Sequence, residues 1–489
     1  MVSSRGLEVK NYINGQWIQS LGTDTVDVIN PANEALLGKC PLGTAKDVDL
    51  AVAAAKEAFK EWRKTPAMDR VQHLFKLKTL LEENFDELVQ LCTKEHGKTI
   101  AESKGDVRRG IQMVETACGI PTLMMGQSFE DIAAGIDCQA IRQPMGVFAA
   151  ITPFNFPAMV PFWFWPFAVA AGNTFVLKPS ERVPLSQMKI FELIERSGFP
   201  KGVMNLVLGG KEVVNALCSH PDVKGISFVG STPVAKHVYQ LGSSHGKRVQ
   251  ALGGAKNFMV ILPDATMDST VRTCLESIVG CAGQRCLAGS VILSIGKAHE
   301  EVKERIVRAA SDMIVGDGAD PKTQMGPLIS KAAVERVKGL IQSAVDEGAK
   351  ILLDGRNVDG KGYFLKPTVI DGIKPHMRIA KEEVFGPVVC LAEVKGLDEA
   401  ISWINSSSFA NTASLFTSSG AAARQFSYEA APAMLGLNIG VPAPMAFFSF
   451  GGAKDSFFGD VKAHGSASMM FFTDTKVTIS RWNKNSNIW

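Results

Sequence analysis

Residues 146–151 read GVFAAI, 174–177 TFVL, 203–207 VMNLV, 225–229 GISFV and 258–262 FMVIL. These short runs decide the fold. Each is apolar, β-prone and too short for a helix of ordinary length. Stretches with helical character, 185–196 and 211–219, lie between them. Strands alternating with helices imply a parallel sheet with helices on both faces. A second alternation follows over about 270–440, with helices near 300–314 and 331–347. No long low-complexity linker separates the two halves. The expected architecture is therefore α/β, with two units packed tightly across a cleft.

Toward the N-terminus, residues 12–28 alternate apolar and polar around Asn14-Gly15, which reads as a hairpin. Thr44, with Asp47 three residues on, caps a helix whose apolar face carries Val48, Val52, Ala55 and Phe59. Pro66 opens a longer helix along Val71, Leu74, Leu77, Leu81, Phe85 and Leu88. The most apolar segment, 156–171, is interrupted by Pro157, Pro161 and Pro166. It reads as a buried helix and loop, not a membrane span. Near the C-terminus, Met469–Phe472 is apolar and β-prone, so a strand over 468–480 is expected to pair with another subunit and protect its edge.

At 489 residues the chain exceeds one ordinary core, and roughly two or three domains are expected. Apolar residues make up 46% and charged residues 21%, the balance of a globular protein in water. A net charge of +3 gives no reason to expect nucleic acid or an anionic membrane as partner. The nine cysteines are irregularly spaced with no CxxC pair, so no metal site is expected. Reduced thiols and the lack of a signal-like stretch in 1–17 point to an intracellular protein.

Four segments have residue types suited to chemistry. Cys286 follows a glycine turn and sits beside Arg285, a fixed cation that would stabilise its thiolate; the alternative is an inert buried thiol. Asn155, in Thr152-Pro153-Phe154-Asn155-Phe156-Pro157, follows a strand and is held between prolines. Its amide suits a developing oxyanion, or else it caps a loop. Phe228–Pro233 (FVGSTP) ends a strand and opens a helix, leaving backbone N–H groups for a phosphate, although it lacks the GxGxxG fingerprint. Lys178-Pro179-Ser180-Glu181 follows the TFVL strand and suits ribose hydroxyls, or is a solvated turn.

In order the chain gives PFNFP, KPSE, FVGST, LGGAKN, AGQRC and KEEVFGPV. Together these resemble the aldehyde dehydrogenase superfamily over nearly the whole chain. Within it the match is best with the methylmalonate-semialdehyde (malonate-semialdehyde) dehydrogenases, through Phe154–Pro157, Lys178–Arg182, Lys247–Gln250, Gly254–Asn257 and Val441–Met445. The resemblance implies a Rossmann-type NAD-binding domain (1–124 and 145–253), an α/β catalytic domain (254–455) and a β oligomerisation arm (125–144 and 456–489) in a homotetramer built from dimers. It implies a cytoplasmic enzyme in a bacterium, or a mitochondrial matrix enzyme with its presequence removed in a eukaryote.

The resemblance also assigns roles. Cys286 is the nucleophile, and the Asn155 side chain with the Cys286 N–H holds the oxyanion. Thr152, Phe154, Lys178, Glu181, Arg182, Ser231, Gly253 and Glu383 line an NAD site. Arg109 and Arg285 bind a substrate carboxylate, a task their forked guanidinium suits. Arg109, on a probable helix, has a surface ion pair as its alternative; Arg285, fixed beside Cys286, has less freedom. Hydrolytic relatives carry a Glu in an ELGGK-like segment, and here Ala251 stands in its place. Alanine removes no proton, so the acyl-enzyme should wait for a thiol, which fits the family's use of coenzyme A. Loss of CO2 from a carboxylate β to the thioester is likewise implied by the resemblance. Two departures stand out: Ala235 replaces a common third glycine after FVGS, and Phe450–Lys454 differs from the usual SGxK-like form. Cys281, five residues before Cys286, is unusual enough to raise a disulfide between them under oxidation.

Overall fold

The computed structural model describes residues 7–482, so the ends of two expected segments, 1–6 and 483–489, lie outside the described residues. Five of the β-prone runs and their neighbours become two large sheets. The first contains parallel strands Val147–Ile151, Thr174–Lys178, Met204–Leu206, Val223–Val229 and Arg248–Leu252. Numbered by their order in the chain, these stand in the sheet as 5-4-1-2-3. That is a doubly wound sheet, with its switch point between the first and fourth strands. Antiparallel strands extend both edges: Phe457–Phe458 beside Arg248–Leu252, and the hairpin Asn11–Ile13/Gln16–Ile18 beside Met204–Leu206.

The expected hairpin forms at Asn14-Gly15, both with positive φ (52° and 73°), as a two-residue turn requires. It closes at Ile18; Thr25–Ile29 instead pairs with Leu36–Pro41 in a separate small sheet. Thr44 caps the helix Ala45–Trp62, and its N–H donates to Asp47 Oδ2 at 2.8 Å. The long helix expected after Pro66 is two, Ala67–Glu83 and Phe85–His96. Asn84 breaks it: its side chain donates to the Leu80 carbonyl at 2.7 Å, a bond that competes with continuing the helix. Residues 156–171 are buried as two short helices, Met159–Phe162 and Trp165–Ala170, in the core with Phe148, Phe175 and Phe191.

The second sheet orders Lys350–Leu353, Thr368–Asp371, Val388–Val394, Gly289–Ile295, Asn257–Ile261, Thr412–Phe416 and Met434–Leu437, all parallel but the first. The expected helices appear as Ala298–Ser311 and Lys331–Asp346. A separate three-stranded antiparallel sheet joins Gln127–Ala133, Ile136–Pro144 and Thr473–Arg481. Here one expectation is corrected. Met469–Phe472 is not strand but the end of a buried helix, Gly465–Phe472, with Phe471 and Phe472 against Phe148. Burial in a helix satisfies this apolar run's backbone locally, which a β-prone composition alone does not reveal. The arm strand starts only at Thr473, and within 456–472 the pair Phe457–Phe458 belongs to the first sheet. Among the described residues, no helix is long and apolar enough to cross a membrane, and no His/Cys/Asp/Glu group could hold a metal.

The segment Gly253–Lys256 leaves the carboxyl end of Arg248–Leu252 and enters the amino end of Asn257–Ile261. The carboxyl edge of the first sheet therefore meets the amino edge of the second. Loops from both edges converge there.

Candidate active site

Because the core strands of the first sheet are parallel, Thr152, Lys178, Gly230-Ser231 and Gly253 all lie at or just beyond their carboxyl ends and share one edge. Thr152 and Ser231 flank the switch point, where open α/β sheets bind ligands. Thr152 Oγ1 is buried without a hydrogen-bond partner, as expected of a group that a ligand satisfies. Lys178 Nζ pairs with Glu181 Oε2 at 3.0 Å. Burial raises the Glu181 carboxyl, but Lys178, the local backbone and Arg182 together hold it below the usual range. Arg182 itself is exposed. Phe154 is stacked on His96 (6.0 Å) and edge-on to Phe385 (5.9 Å). Ala235 is fully buried on the helix Thr232–Ser244.

At Gly253 a Cβ would lie 2.7 Å from the Asp455 carbonyl oxygen, and at Gly254 2.6 Å from Glu383 Oε2. The backbone contact at Gly253 disfavours any side chain there, and the contact at Gly254 brings Glu383 against the crossing segment. Burial raises the Glu383 carboxyl to about 7, opposed by the Ala255 N–H and by Arg336 and Lys256. Ala251 is wholly buried in its strand, paired with Phe228 and Phe458.

Cys286 sits three residues before the strand Gly289–Ile295. Its carbonyl accepts from Asn257 Nδ2 (2.9 Å) and Asn411 Nδ2 (2.8 Å). Those asparagines stand at the amino ends of the next two strands, so the sheet itself fixes the cysteine's backbone. Before it, Cys281 (φ 51°, ψ 37°) and Ala282 (φ 53°, ψ 35°) are left-handed, and Gly283 follows at φ 74°. Such conformations at non-glycine residues cost about 1–3 kcal/mol each and gather at functional sites. Gln284, fully buried, locks the turn: its side chain donates to Cys281 O at 3.2 Å and accepts from Ile329 N–H at 3.0 Å. Its carbonyl accepts from Asn155 Nδ2 at 2.9 Å, tying Asn155 to the nucleophile loop.

Asn155 is held from behind. Lys98, a buried lysine absent from the sequence reading, donates from Nζ to the Asn155 carbonyl at 2.6 Å. The same ammonium pairs with buried Asp106 at 3.0 Å and lies 4.0 Å over the Phe156 ring. Nothing in the local sequence marks Lys98, since its partners lie 8 and 57 residues away.

A cavity of about 410 Å³ opens beside this loop, lined by Cys286, Arg109, Arg285, Trp163, Phe450 and His464 among others. The two arginines are brought together, but in unequal states. Arg285 is already committed: Nη2 pairs with Glu102 at 3.2 Å and Nε donates to Cys281 Sγ at 3.3 Å. Glu102 also accepts from the Cys281 N–H at 2.6 Å and caps the helix Ile100–Cys118. Among the described residues, Arg109 has no carboxylate partner, only Met445 Sδ at 2.8 Å. Among the described residues Arg109 is thus the arginine of the two without an ion pair. Both sulfurs are unbridged, and Cys281 faces Arg285.

Arg285 lowers the Cys286 thiol, as its place beside the sulfur suggests, but other groups act against it. Burial pushes the Cys286 thiol up to about 12, with Glu383 adding to it; the N–H groups of Cys286 and Leu287 and the Arg285 charge oppose this without prevailing. Arg285 spends its charge on Glu102 instead. Alkylation by iodoacetamide, followed by mass spectrometry at Cys286, should be slow at pH 7.5. It should rise about tenfold per pH unit, since the thiolate fraction does so below the pKa. A plateau between pH 7 and 9 would contradict this burial argument.

The whole chain compares closely with known proteins. Residues 17–478 match the aldehyde dehydrogenase family model. The malonate-semialdehyde dehydrogenase of Halalkalibacterium halodurans is 47% identical over 98% of this chain and 99% of its own. Malonate-semialdehyde dehydrogenase 1 of Geobacillus thermodenitrificans is 48% identical over 97% and 99%. Among solved structures, methylmalonate-semialdehyde dehydrogenase from Oceanimonas doudoroffii superposes with a TM-score of 0.96 at 42% identity, covering 97% of this chain and 98% of that one. A Sinorhizobium meliloti protein, named as a methylmalonate-semialdehyde dehydrogenase and solved with NAD, gives 0.97 at 38% over 99% and 100%. With a doubly wound sheet facing a strained cysteine loop across one cleft, and with this likeness along its length, the chain belongs to the aldehyde dehydrogenase family.

Proposed function

We propose that this chain oxidises malonate semialdehyde, methylmalonate semialdehyde or both to acetyl-CoA and propionyl-CoA, with NAD as oxidant and loss of CO2. The observation that carries the substrate class is Arg109, unpaired in the cavity that also holds Cys286. An uncharged aldehyde gives this arginine nothing to bind; a carboxylate meets its fork with two hydrogen bonds. The names of the relatives agree with this reading.

The Cys286 sulfur adds to the aldehyde carbon, its proton passing to solvent as the carbonyl oxygen takes the negative charge; the proton that the coenzyme A thiol gives up in the last step restores the Cys286 thiol. Asn155 Nδ2 and the Cys286 N–H would hold the oxyanion, both donors belonging to or tied to the strained loop. NAD held at the switch point would supply the hydride acceptor for that carbon, which becomes the carbonyl of a thioester on Cys286. Thr152, Phe154, Lys178, Glu181, Arg182, Ser231, Gly253 and Glu383 would hold it. An ionised Glu181 favours a free 2′-hydroxyl over a 2′-phosphate. The carboxylate β to the thioester leaves as CO2, its electrons pass to the carbonyl, and the α carbon takes up one proton. Coenzyme A then displaces Cys286 by thiol exchange. Two domains and a tetramer joined through the Gln127–Pro144 and Thr473–Arg481 strands complete the reading; exposed Phe129, Val477 and Ile479 on that sheet suit burial by another subunit.

The rival product is a free acid. Ala251 disfavours it, since its methyl lies buried where the hydrolytic base would stand. Steady-state NADH formation should rise at least about tenfold when coenzyme A is added, with acyl-CoA as the product. Equal rates with and without coenzyme A would establish hydrolysis, with Glu383 as the base to test.

A further inference from the structure

His464 has no assigned part in the scheme above, yet it is the most anomalous residue in the cavity wall. Its side chain is 1% exposed, and neither ring nitrogen has a hydrogen-bond partner. Its backbone sits at φ 72°, ψ 166°, a region essentially reserved for glycine. The ring packs edge-on to Trp163 (4.9 Å) and against Phe450 (5.3 Å). Trp163 Nε1, in the same wall, is also buried and unpartnered. A phenylalanine would fill this space without orphaned nitrogens, and a glycine would remove the strain. Each unmet polar group costs about 1–3 kcal/mol. A wall that retains these features in the substrate cavity has donors waiting for an acceptor.

We propose that His464, with the Trp163 indole N–H beside it, is a specificity-determining contact for the substrate's carboxylate, acting in the same cavity as Arg109. This rests on the semialdehyde reading. Burial holds the imidazole far down, at about 3, so it is neutral and offers one N–H. Rotation about its Cβ–Cγ bond, a soft sp³–sp² torsion, turns that N–H toward the cavity the residue lines. Arg109 supplies charge from the helix Ile100–Cys118, whereas His464 and Trp163 supply directed neutral donors from the aromatic wall.

The test compares malonate semialdehyde with propanal, which has the same three-carbon chain and no charge. In His464→Phe the ratio of kcat/KM for the two should fall at least tenfold, through KM for the semialdehyde, while Tm holds or rises because the orphaned nitrogens are gone. His464→Ala should lose the preference too. His464→Asn, which keeps a donor and tolerates positive φ best, should retain more of it than either. If Phe and Ala lower both substrates equally, or change neither, His464 only packs the wall and the inference falls. A wild-type enzyme with no preference for the semialdehyde would overturn the substrate reading itself. A strong wild-type preference that survives in all three variants overturns only the role of His464.

Discussion

Replacing Cys286 with alanine is expected to lower kcat by at least about 10⁴-fold with either semialdehyde, because no other group here can hold the acyl intermediate. The loop around Cys286 is built for one sulfur position. Asn257 and Asn411 pin its carbonyl, Gln284 fastens the turn before it, and three consecutive left-handed residues aim it at the cavity. Cys281 is too committed to substitute: it is 1% exposed, burial holds its thiol above the usual range, and Arg285 Nε donates to it. NAD affinity, measured by nucleotide fluorescence or calorimetry, should change little, since Thr152, Ser231 and Glu181 lie on the other sheet's edge. Quenched turnover of the wild type should carry an acyl mass on the peptide containing Cys286, absent in the variant. Appreciable turnover by Cys286→Ala would remove the covalent scheme altogether.

Much of this was legible in the residues. The strand runs at 147–151, 174–178, 223–229 and 257–261 carry a local signal, because a strand buried on both faces must be continuously apolar. Cys286 and Asn155 were visible because a glycine turn and paired prolines restrict the chain around them. Other features depend on contacts distant in sequence. Lys98 acts on Asn155 across 57 residues, and Glu102 occupies Arg285 across 183. Periodicity carries no information about such pairs, so the pairing of Arg285 with Glu102 could not be read from the residues around either. The surroundings of Cys286 are non-local in the same way: the neighbouring cation was visible, but its pairing with Glu102 was not. The Met469–Phe472 run misled because its β-prone residues lie in a helix packed on Phe148, where tertiary burial overrides propensity. His464 gave no signal at all; only its strained backbone and empty hydrogen-bond positions mark it.

Asn155→Ala should lower kcat by about 10²–10³-fold, the usual loss when one oxyanion donor is removed, or roughly 3–4 kcal/mol of barrier. Its Nδ2 now donates one hydrogen to the Gln284 carbonyl, which leaves the second hydrogen for a developing oxyanion. The substitution therefore removes a catalytic donor and a tie to the nucleophile loop together, and the two effects must be separated. The tie acts in the resting protein and would appear as a lower Tm and a changed alkylation rate at Cys286. The donor acts on charge that exists only after the sulfur has added, so its loss appears in kcat while KM and NAD affinity hold. Gln284 stays anchored by Cys281 and Ile329 without Asn155, so the loop should keep its shape. Lys98 bonds the backbone carbonyl at 155, not the side chain, and survives the change as well. A variant with near-normal kcat would assign the oxyanion to the Cys286 N–H alone. A collapse of Tm together with kcat would make Asn155 a structural link instead of a catalytic one.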